Sequence, residues 1–192
     1  MTKKLRLLAA LLPLALSVAC TDAAKLPAEA ALKAAESALG ELKGEVQKLA
    51  PDQVKAAQEA FASAKEKVAK EDYKGALAVA GDVPAMVKAA VATAAAKKDE
   101  LLKAWGEASG ELPKMVEAIK GRLGELAKAK KLPKGLDKAA VAKAQEEVAA
   151  VEAGLAKAAE QVKAGGYDEA IAAAKGLKEK GAEIMKALGM PQ

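Results

Sequence analysis

Apolar residues recur at alternating intervals of three and four along most of this chain. In the first such segment, 32–49, the apolar positions are Leu32, Ala35, Leu39, Leu42, Val46 and Leu49. The same spacing returns in 54–68, 112–126 and 141–162. It is typical of amphipathic helices that pack along coiled-coil-like seams. The spacing therefore predicts several long helices, each of which buries one stripe of side chains.

The composition agrees with helices and argues against sheets. Alanine, the strongest helix former, is the commonest residue, and the chain has one Phe, one Trp and two Tyr. Strands favour β-branched and aromatic residues, and runs of these are nearly absent. We therefore expect an all-α fold, an elongated antiparallel helical bundle with left-handed coiled-coil-like packing. Because buried alanine contributes little transfer free energy, helix propensity must supply part of the stability.

Turn-forming residues mark where the helices begin and end. Pro51 suits the first position of a helix, and Tyr73 follows the polar turn at 71–72. Pro84 is expected to kink or restart the helix that begins at Tyr73. A pair of glycines at 165–166 ends the sixth predicted helix, and a seventh follows it.

Glycine, serine and proline cluster between 106 and 113, which indicates an internal boundary. The sequence therefore predicts a first helical unit at 26–105, a linker at 106–111 and a second helical unit at 112–190.

The two halves resemble each other at a constant offset of 94 residues, which pairs Val54 with Val148 and Tyr73 with Tyr167. This similarity is interpreted as two related three-helix units, and chance similarity between alanine-rich helices is the alternative. Each tyrosine opens a helix, where it is expected to pack as a staple rather than line a ligand pocket.

The amino terminus has the organisation of a signal peptide. Lys3, Lys4 and Arg6 precede an apolar run at 7–19 that ends in small residues. The run is shorter than the roughly 20 residues that a transmembrane helix needs. Residues 1–19 are therefore predicted to be a signal peptide that is removed on export.

The segment Leu16-Ser17-Val18-Ala19-Cys20 resembles the lipobox of bacterial lipoproteins. The resemblance implies a diacylglycerol on the sulfur of Cys20, cleavage between Ala19 and Cys20, and a lipidated tether at 20–25. The partner would then be a membrane, reached through lipidated Cys20. Ser17 stands where the family usually has leucine. The same small residues also suit ordinary signal peptidase, so a secreted protein with a free thiol is the alternative.

The resemblance also implies a cellular location. Thr21, rather than an aspartate, follows the cysteine, which in the enterobacterial sorting rule favours the outer membrane. The expected location is the bacterial cell envelope, on the periplasmic side, or outside the cell as a soluble protein if Cys20 is not acylated.

Two short turns carry a second resemblance. The segments 71–76, Glu-Asp-Tyr-Lys-Gly-Ala, and 165–170, Gly-Gly-Tyr-Asp-Glu-Ala, resemble an alanine-rich helical domain of unknown function in bacterial envelope lipoproteins. They are also similar to the second-helix entry of tetratricopeptide repeats, although the 34-residue period is missing. The resemblance covers residues 26–90 best, and it implies an envelope role without an activity.

The residues that most enzymes need are missing from the sequence. The chain has no histidine and one cysteine, which excludes Ser-His and Cys-His relays, histidine-ligated zinc and histidine-containing di-iron sites. No EF-hand loop or phosphate-binding glycine loop is present either. We therefore expect no catalytic residues, no metal and no cofactor, and the protein is not predicted to be an enzyme.

The charge balance argues against nucleic acid as a partner. The formal net charge is +5, but three of the 31 basic residues lie in the predicted signal peptide. The remainder has 28 basic and 26 acidic residues, a net charge of +2. Since the two signs are interspersed, the chain lacks the one-signed stripe that a phosphate backbone requires.

Two features are candidates for contact with a partner. Between 128 and 138 there are five lysines and one acid, Asp137. This stretch is a candidate for contact with anionic lipid, lipopolysaccharide or cell-wall polymer, and an exposed solvated loop is the alternative. The single tryptophan is either an anchor for a partner or a core residue at the end of a seam. The candidate residues are Trp105, Lys128, Lys130, Lys131 and Lys134.

Together these observations favour a non-enzymatic, lipid-anchored scaffold or adaptor of the periplasm that binds an envelope protein or a cell-wall polymer. The alternative is an apolipoprotein-like protein whose amphipathic helices open to hold lipid or lie on a membrane surface.

Overall fold

A computed structural model describes residues 23–191, of which 83% are helical and none is in a strand. The predicted all-α helical bundle is therefore confirmed. The predicted signal peptide, the cleavage site between Ala19 and Cys20 and the lipidation site Cys20 lie outside the described residues. The described helices are α1 (Lys25–Leu39), α2 (Glu45–Leu49), α3 (Pro51–Ala69), α4 (Tyr73–Ser109), α5 (Leu112–Lys128), α6 (Lys138–Lys163) and α7 (Tyr167–Ala187).

The seam predicted over 32–49 is divided between two helices. Helix α1 ends at Leu39, and α2 begins at Glu45 after a turn that contains Gly44 with φ +57° and ψ −111°. Residues with a Cβ rarely adopt such a φ, so the glycine at this position permits the turn. The apolar spacing continues across the turn, which is why periodicity alone did not reveal the break.

Helix α4 continues through Pro84 instead of restarting there. Proline has no N–H to donate to the carbonyl of Ala80, which costs the helix one hydrogen bond. The buried stripe nevertheless continues on both sides of the proline, at Ala80, Val83 and Val87. The spacing of the buried stripe is therefore not interrupted at Pro84.

The predicted linker at 106–111 is mostly helical. Helix α4 extends to Ser109, so only Gly110 and Glu111 separate it from α5. The N–H of Gly110 donates to the carbonyl of Gly106 at 2.9 Å, and that of Met115 donates to the carbonyl of Glu111 at 3.0 Å. Pro113 lies in the first turn of α5, where its missing N–H costs no hydrogen bond.

The chain has two compact units, which are divided differently from the predicted ones. Within the described residues, unit 1 comprises 23–40 and 57–84, and unit 2 comprises 41–56 and 85–191. Helices α3 and α4 each contribute residues to both units, which is why a boundary sought in one glycine-rich segment did not reproduce this division.

Unit 1 has a core of small side chains. Its fully buried residues, each with 0% of its surface exposed, are Ala28, Ala35, Ala57, Ala64, Ala76, Ala80 and Val83. They come from α1, α3 and α4 and recur at heptad-like intervals. Since alanine extends little beyond the backbone, such a core requires helices near the close end of the usual interaxial distance, about 8 Å.

Unit 2 is built around α5, α6 and α7. Helices α6 and α7 are antiparallel, because α7 follows α6 after the turn at 164–166, and Gly154 on α6 lies against Leu177 on α7. Gly165, with φ +78°, forms that turn. The largest side chains buried in this core are those of Leu101, Leu112, Val116, Ile119, Leu123, Leu126, Val148, Val151, Tyr167, Ile171, Ile184 and Leu188.

One helical stretch in the described part, Tyr73–Lys128, is long and apolar enough by composition to cross a membrane. Its most apolar 18-residue window has a mean hydropathy of 1.4, and 28% of that window is buried. The core helix of a bundle passes the same test.

Candidate functional site

The predicted lysine-rich stretch lies where α5 ends and α6 begins. Its loop is held to the core of unit 2 by Leu132 and Leu136, which are both half-buried. Gly135 has φ +90°, and the N–H of Leu136 donates to the carbonyl of Pro133 at 3.1 Å. All five lysines are exposed; we call Lys128, Lys130, Lys131, Lys134 and Lys138 the lysine-rich end.

The positive charge of the lysine-rich end is not compensated locally. Asp137, the one acid in this stretch, is the N-cap of α6, and its Oδ1 accepts the N–H of Ala140 at 2.7 Å. Within residues 23–191, no carboxylate oxygen lies within 4.0 Å of the ammonium of any of the five lysines. The lysine-rich end can therefore attract anions.

A cavity of about 400 Å³ opens beside these lysines, between the end of α5 and the start of α6. Leu126, Leu132 and Val141 form its apolar wall, and Lys130 and Lys138 stand among its lining residues. Ligand pockets typically have volumes of about 300–1,000 Å³, with an apolar lining and a few polar groups that orient the ligand. The cavity has the volume of such a pocket, and its lining combines apolar side chains with the polar Lys130, Lys138 and Gln145.

Trp105 is not part of this site. Its side chain is half-buried and packs against the core of unit 2, and its carbonyl accepts the Ser109 hydroxyl at 2.7 Å. Trp105 lies on α4, and Lys128 lies at the far end of α5, a helix of 17 residues that is roughly 26 Å long. Of the predicted contact residues, the structure thus groups the four lysines and leaves the tryptophan apart, in the setting of a core residue.

A polar contact that the sequence analysis missed lies elsewhere in unit 2. The Lys98 ammonium donates to Glu45 Oε2 at 2.9 Å, and the Tyr167 hydroxyl donates to Glu45 Oε1 at 2.5 Å. We call these three residues the Glu45 layer. It joins α2, α4 and α7. Lys98 occupies a position on the buried stripe of α4, between Ala94 and Leu101.

The three groups of the Glu45 layer fix one another's protonation. The hydrogen bond from Tyr167, and then the one from Lys98, hold the pKa of Glu45 below its usual value. The carboxylate in turn raises the pKa of Tyr167 and that of Lys98. All three side chains are satisfied by one another, so the layer is a structural contact and does not present a free acid or base.

Unit 1 has a smaller polar contact at the start of α4. Asp72 Oδ1 accepts the N–H of Gly75 at 3.0 Å, and its Oδ2 accepts the Lys67 ammonium at 3.0 Å. The Lys67 hydrogen bond, followed by that from Gly75, lowers the pKa of Asp72. Asp72 thereby caps α4, which explains why a helix begins at Tyr73.

Within the described residues, no group of three histidine, cysteine or acidic side chains is arranged to hold a metal ion. No protein-family model matches this chain, and no curated protein is significantly similar to it. No solved structure is significantly similar to it either.

Proposed function

We propose that this protein is a non-enzymatic, lipid-anchored scaffold or adaptor of the bacterial envelope, and that its lysine-rich end contacts an anionic partner there. The partner is a cell-wall polymer or an acidic surface of an envelope protein. The observation that carries this proposal is the cluster of five exposed lysines, none of them paired with a carboxylate, two of which, Lys130 and Lys138, line a cavity together with apolar side chains.

The arrangement supports this role because it combines two kinds of attraction. Uncompensated lysines raise the rate of encounter with an anion, and this effect falls as salt is added. The apolar wall at Leu126, Leu132 and Val141 adds a contact that salt does not weaken. Because Leu132 and Leu136 anchor the loop, binding there costs little ordering of the backbone.

The anchor rests on the resemblance of 16–20 to a lipobox. Mass spectrometry of the mature amino terminus tests it, with the Cys20→Ser variant as the control. We expect the wild-type chain to begin at Cys20 and to carry the mass of a diacylglycerol that the variant lacks. A mature chain that begins at Cys20 or beyond without added mass would show that the protein is secreted without an anchor.

Sedimentation with purified cell-wall sacculi tests the lysine-rich end. We expect the wild-type chain to co-sediment at low salt, and the triple variant Lys130→Glu, Lys131→Glu, Lys134→Glu to stay in solution. The matched control changes three exposed lysines elsewhere, Lys43, Lys114 and Lys157, to glutamate. If both triple variants lost binding equally, the interaction would depend on net charge and not on the lysine-rich end. If the wild type did not bind, the cell-wall polymer would be excluded as the partner.

A second candidate function, that of an apolipoprotein-like lipid binder, is favoured by the alanine core of unit 1. Such a core gives up little apolar burial when helices separate, so opening onto lipid would cost little. Flotation of the Cys20→Ser chain with anionic vesicles tests it, together with circular dichroism. If the chain does not float and its helix content does not change, this candidate is excluded.

A further inference from the structure

Helix α4 has an outer face, opposite its buried stripe, that no other part of the described chain covers. In unit 2 the buried stripe of α4 includes Val87, Ala90, Ala94 and Leu101. On the opposite side a second series repeats at intervals of three and four. We call it the outer stripe; its residues, all exposed, are Ala85, Lys88, Ala92, Ala95, Asp99 and Leu102.

The outer stripe is unusually apolar for a solvent-facing surface. Three large hydrophobic residues are exposed in the described part of the chain, and two of them belong to this region. Leu102, 38% exposed, is on the stripe, and Val91, 37% exposed, flanks it. From Ala89 to Ala96 the helix carries no charge at all. A seam with this spacing is suited to packing against another helix.

The outer stripe is also symmetric about its midpoint, which lies between Thr93 and Ala94. Positions at equal distances from the midpoint are complementary: Ala92 matches Ala95, Lys88 matches Asp99, and the small Ala85 matches the large Leu102. In two identical antiparallel helices, the residues that face each other are those at equal distances from such a midpoint.

We propose that a second copy of this chain packs on the outer stripe, so that two α4 helices form an antiparallel, two-fold symmetric dimer. Lys88 then faces the partner's Asp99, and the symmetry repeats this ion pair on the other side. Neither residue has an oppositely charged group within 4.0 Å in the described part of its own chain. Leu102 covers the partner's Ala85.

Charge decides between the two possible directions of pairing. A parallel pair would place Lys88 beside the partner's Lys88 and Asp99 beside the partner's Asp99, and like charges repel. The antiparallel pair turns both repulsions into attractions. Alanines at the centre, Ala92 and Ala95, allow the backbones to approach to about 8 Å. A two-fold dimer needs a self-complementary surface, which this stripe provides.

Disulfide cross-linking tests the register. In a Cys20→Ser background, we expect the double variant Ala85→Cys, Leu102→Cys to form a covalent dimer on oxidation and to lose the covalent link on reduction. The two positions lie 17 residues apart on one helix, roughly 26 Å, so they cannot bridge within one chain. Each single variant alone should form no covalent dimer, whereas an equal mixture of the two should form one. Self-linking of the single variants would indicate a parallel pair and overturn the proposal.

A charge exchange tests the energetics, with sedimentation equilibrium as the measurement on the same background. Lys88→Glu and Asp99→Lys should each raise the dimer Kd about tenfold, since each replaces two attractive pairs with two repulsive ones. The combined variant should restore the wild-type Kd. Lys114→Glu, on an exposed position of α5, is the control and should change little. A wild-type chain that stays monomeric, or a combined variant that is folded but does not recover, would contradict the antiparallel dimer.

Discussion

Units 1 and 2 bury different side chains with the same helical periodicity. The core of unit 1 consists of six alanines and one valine, whereas α5, α6 and α7 of unit 2 bury leucine, isoleucine, valine and one tyrosine in addition to four alanines. A large apolar side chain contributes about 1.5–3 kcal/mol when buried, and alanine much less. Unit 1 must therefore be stabilised by close backbone packing and helix propensity, and unit 2 by transfer of side chains out of water.

Because their cores differ, the two units should respond in opposite ways to core substitutions. Unit 2 should be sensitive to the removal of side-chain atoms, because a cavity remains where a leucine or isoleucine was. The buried side chains of unit 1 are already small, so truncation removes few atoms. Because no space is left between them, unit 1 should be destabilised by larger side chains instead.

The largest expected effect is that of truncation in unit 2. Ile119→Ala removes a side chain with 0% of its surface exposed, and we expect it to lower the free energy of unfolding by about 4 kcal/mol. Urea unfolding followed by the fluorescence of Trp105, which packs against the same core, measures this change. Ile119→Val should cost only about 1 kcal/mol. A loss below 1 kcal/mol for the alanine variant would mean that the core of unit 2 is loosely packed.

Insertion in unit 1 should have the next largest effect. Ala64→Leu places three extra carbon atoms at a position with 0% exposure, and we expect a loss of about 3 kcal/mol. The control is Ala62→Leu, the same substitution two residues earlier on an exposed position of α3. Hydrogen exchange of the α1 and α3 amides measures both. If Ala64→Leu were neutral, the helices of unit 1 would be farther apart than an alanine core allows.

One contact in unit 2, between Gly181 on α7 and Met115, leaves no space for a larger side chain, as in the core of unit 1. Gly176 on the same helix has such space, so the two glycines can be compared directly. A Cβ at Gly181 would overlap the sulfur of Met115, whereas a Cβ at Gly176 would meet no atom within 4 Å. Gly176→Ala should stabilise the protein by about 0.5–1 kcal/mol through helix propensity. Gly181→Ala should destabilise it by about 1 kcal/mol, because Met115 must move out of a packed position. Thermal unfolding of the two variants should therefore shift in opposite directions.

Much of this comparison could be predicted from the sequence. Apolar spacing predicts the helical stripes, and the turn residues predict that α3, α4 and α7 begin at Pro51, Tyr73 and Tyr167, as they do. The abundance of alanine predicts a thin core, although it does not predict that the thinnest part is confined to unit 1. The lysine-rich stretch was identified, but its cavity requires the ends of α5 and α6 to meet, which no local pattern encodes.

The features that the sequence analysis did not predict also have physical causes. Glycine, serine and proline at 106–113 indicated a boundary, yet the buried stripe continues through Leu101, Ala108 and Leu112, and burial overrides local propensity. One feature of the sequence indicates the Glu45 layer: Lys98 occupies a heptad position between Ala94 and Leu101. A lysine on a seam requires a partner. The partner, Glu45, is 53 residues away in sequence, so its identity could come only from the fold.

The smallest expected effect concerns the pH dependence that the Glu45 layer gives to unit 2. The pKa of Glu45 is lowered in the folded protein, first by Tyr167 and then by Lys98. Its contribution to stability is therefore fully present above the ordinary pKa of a glutamate and lost as pH falls through the lowered value. The pKa of Tyr167 is raised, so its contribution is present below the ordinary tyrosine pKa and lost as pH rises through the raised value.

Between these limits, from about pH 5 to pH 9, the layer should add a constant and small stability, because the Glu45 and Lys98 side chains are both 41% exposed and solvent screens the pair. Urea midpoints at pH 3 and pH 7 measure the acid limb. Tyr167→Phe removes the main cause of the Glu45 shift and should reduce the difference between the two midpoints. Lys163→Gln, which removes an exposed ion pair with Glu160 on α6, should leave that difference unchanged. If the tyrosine variant behaved like this control, the layer would not couple α2 to α7, and unit 2 would depend on its apolar core alone.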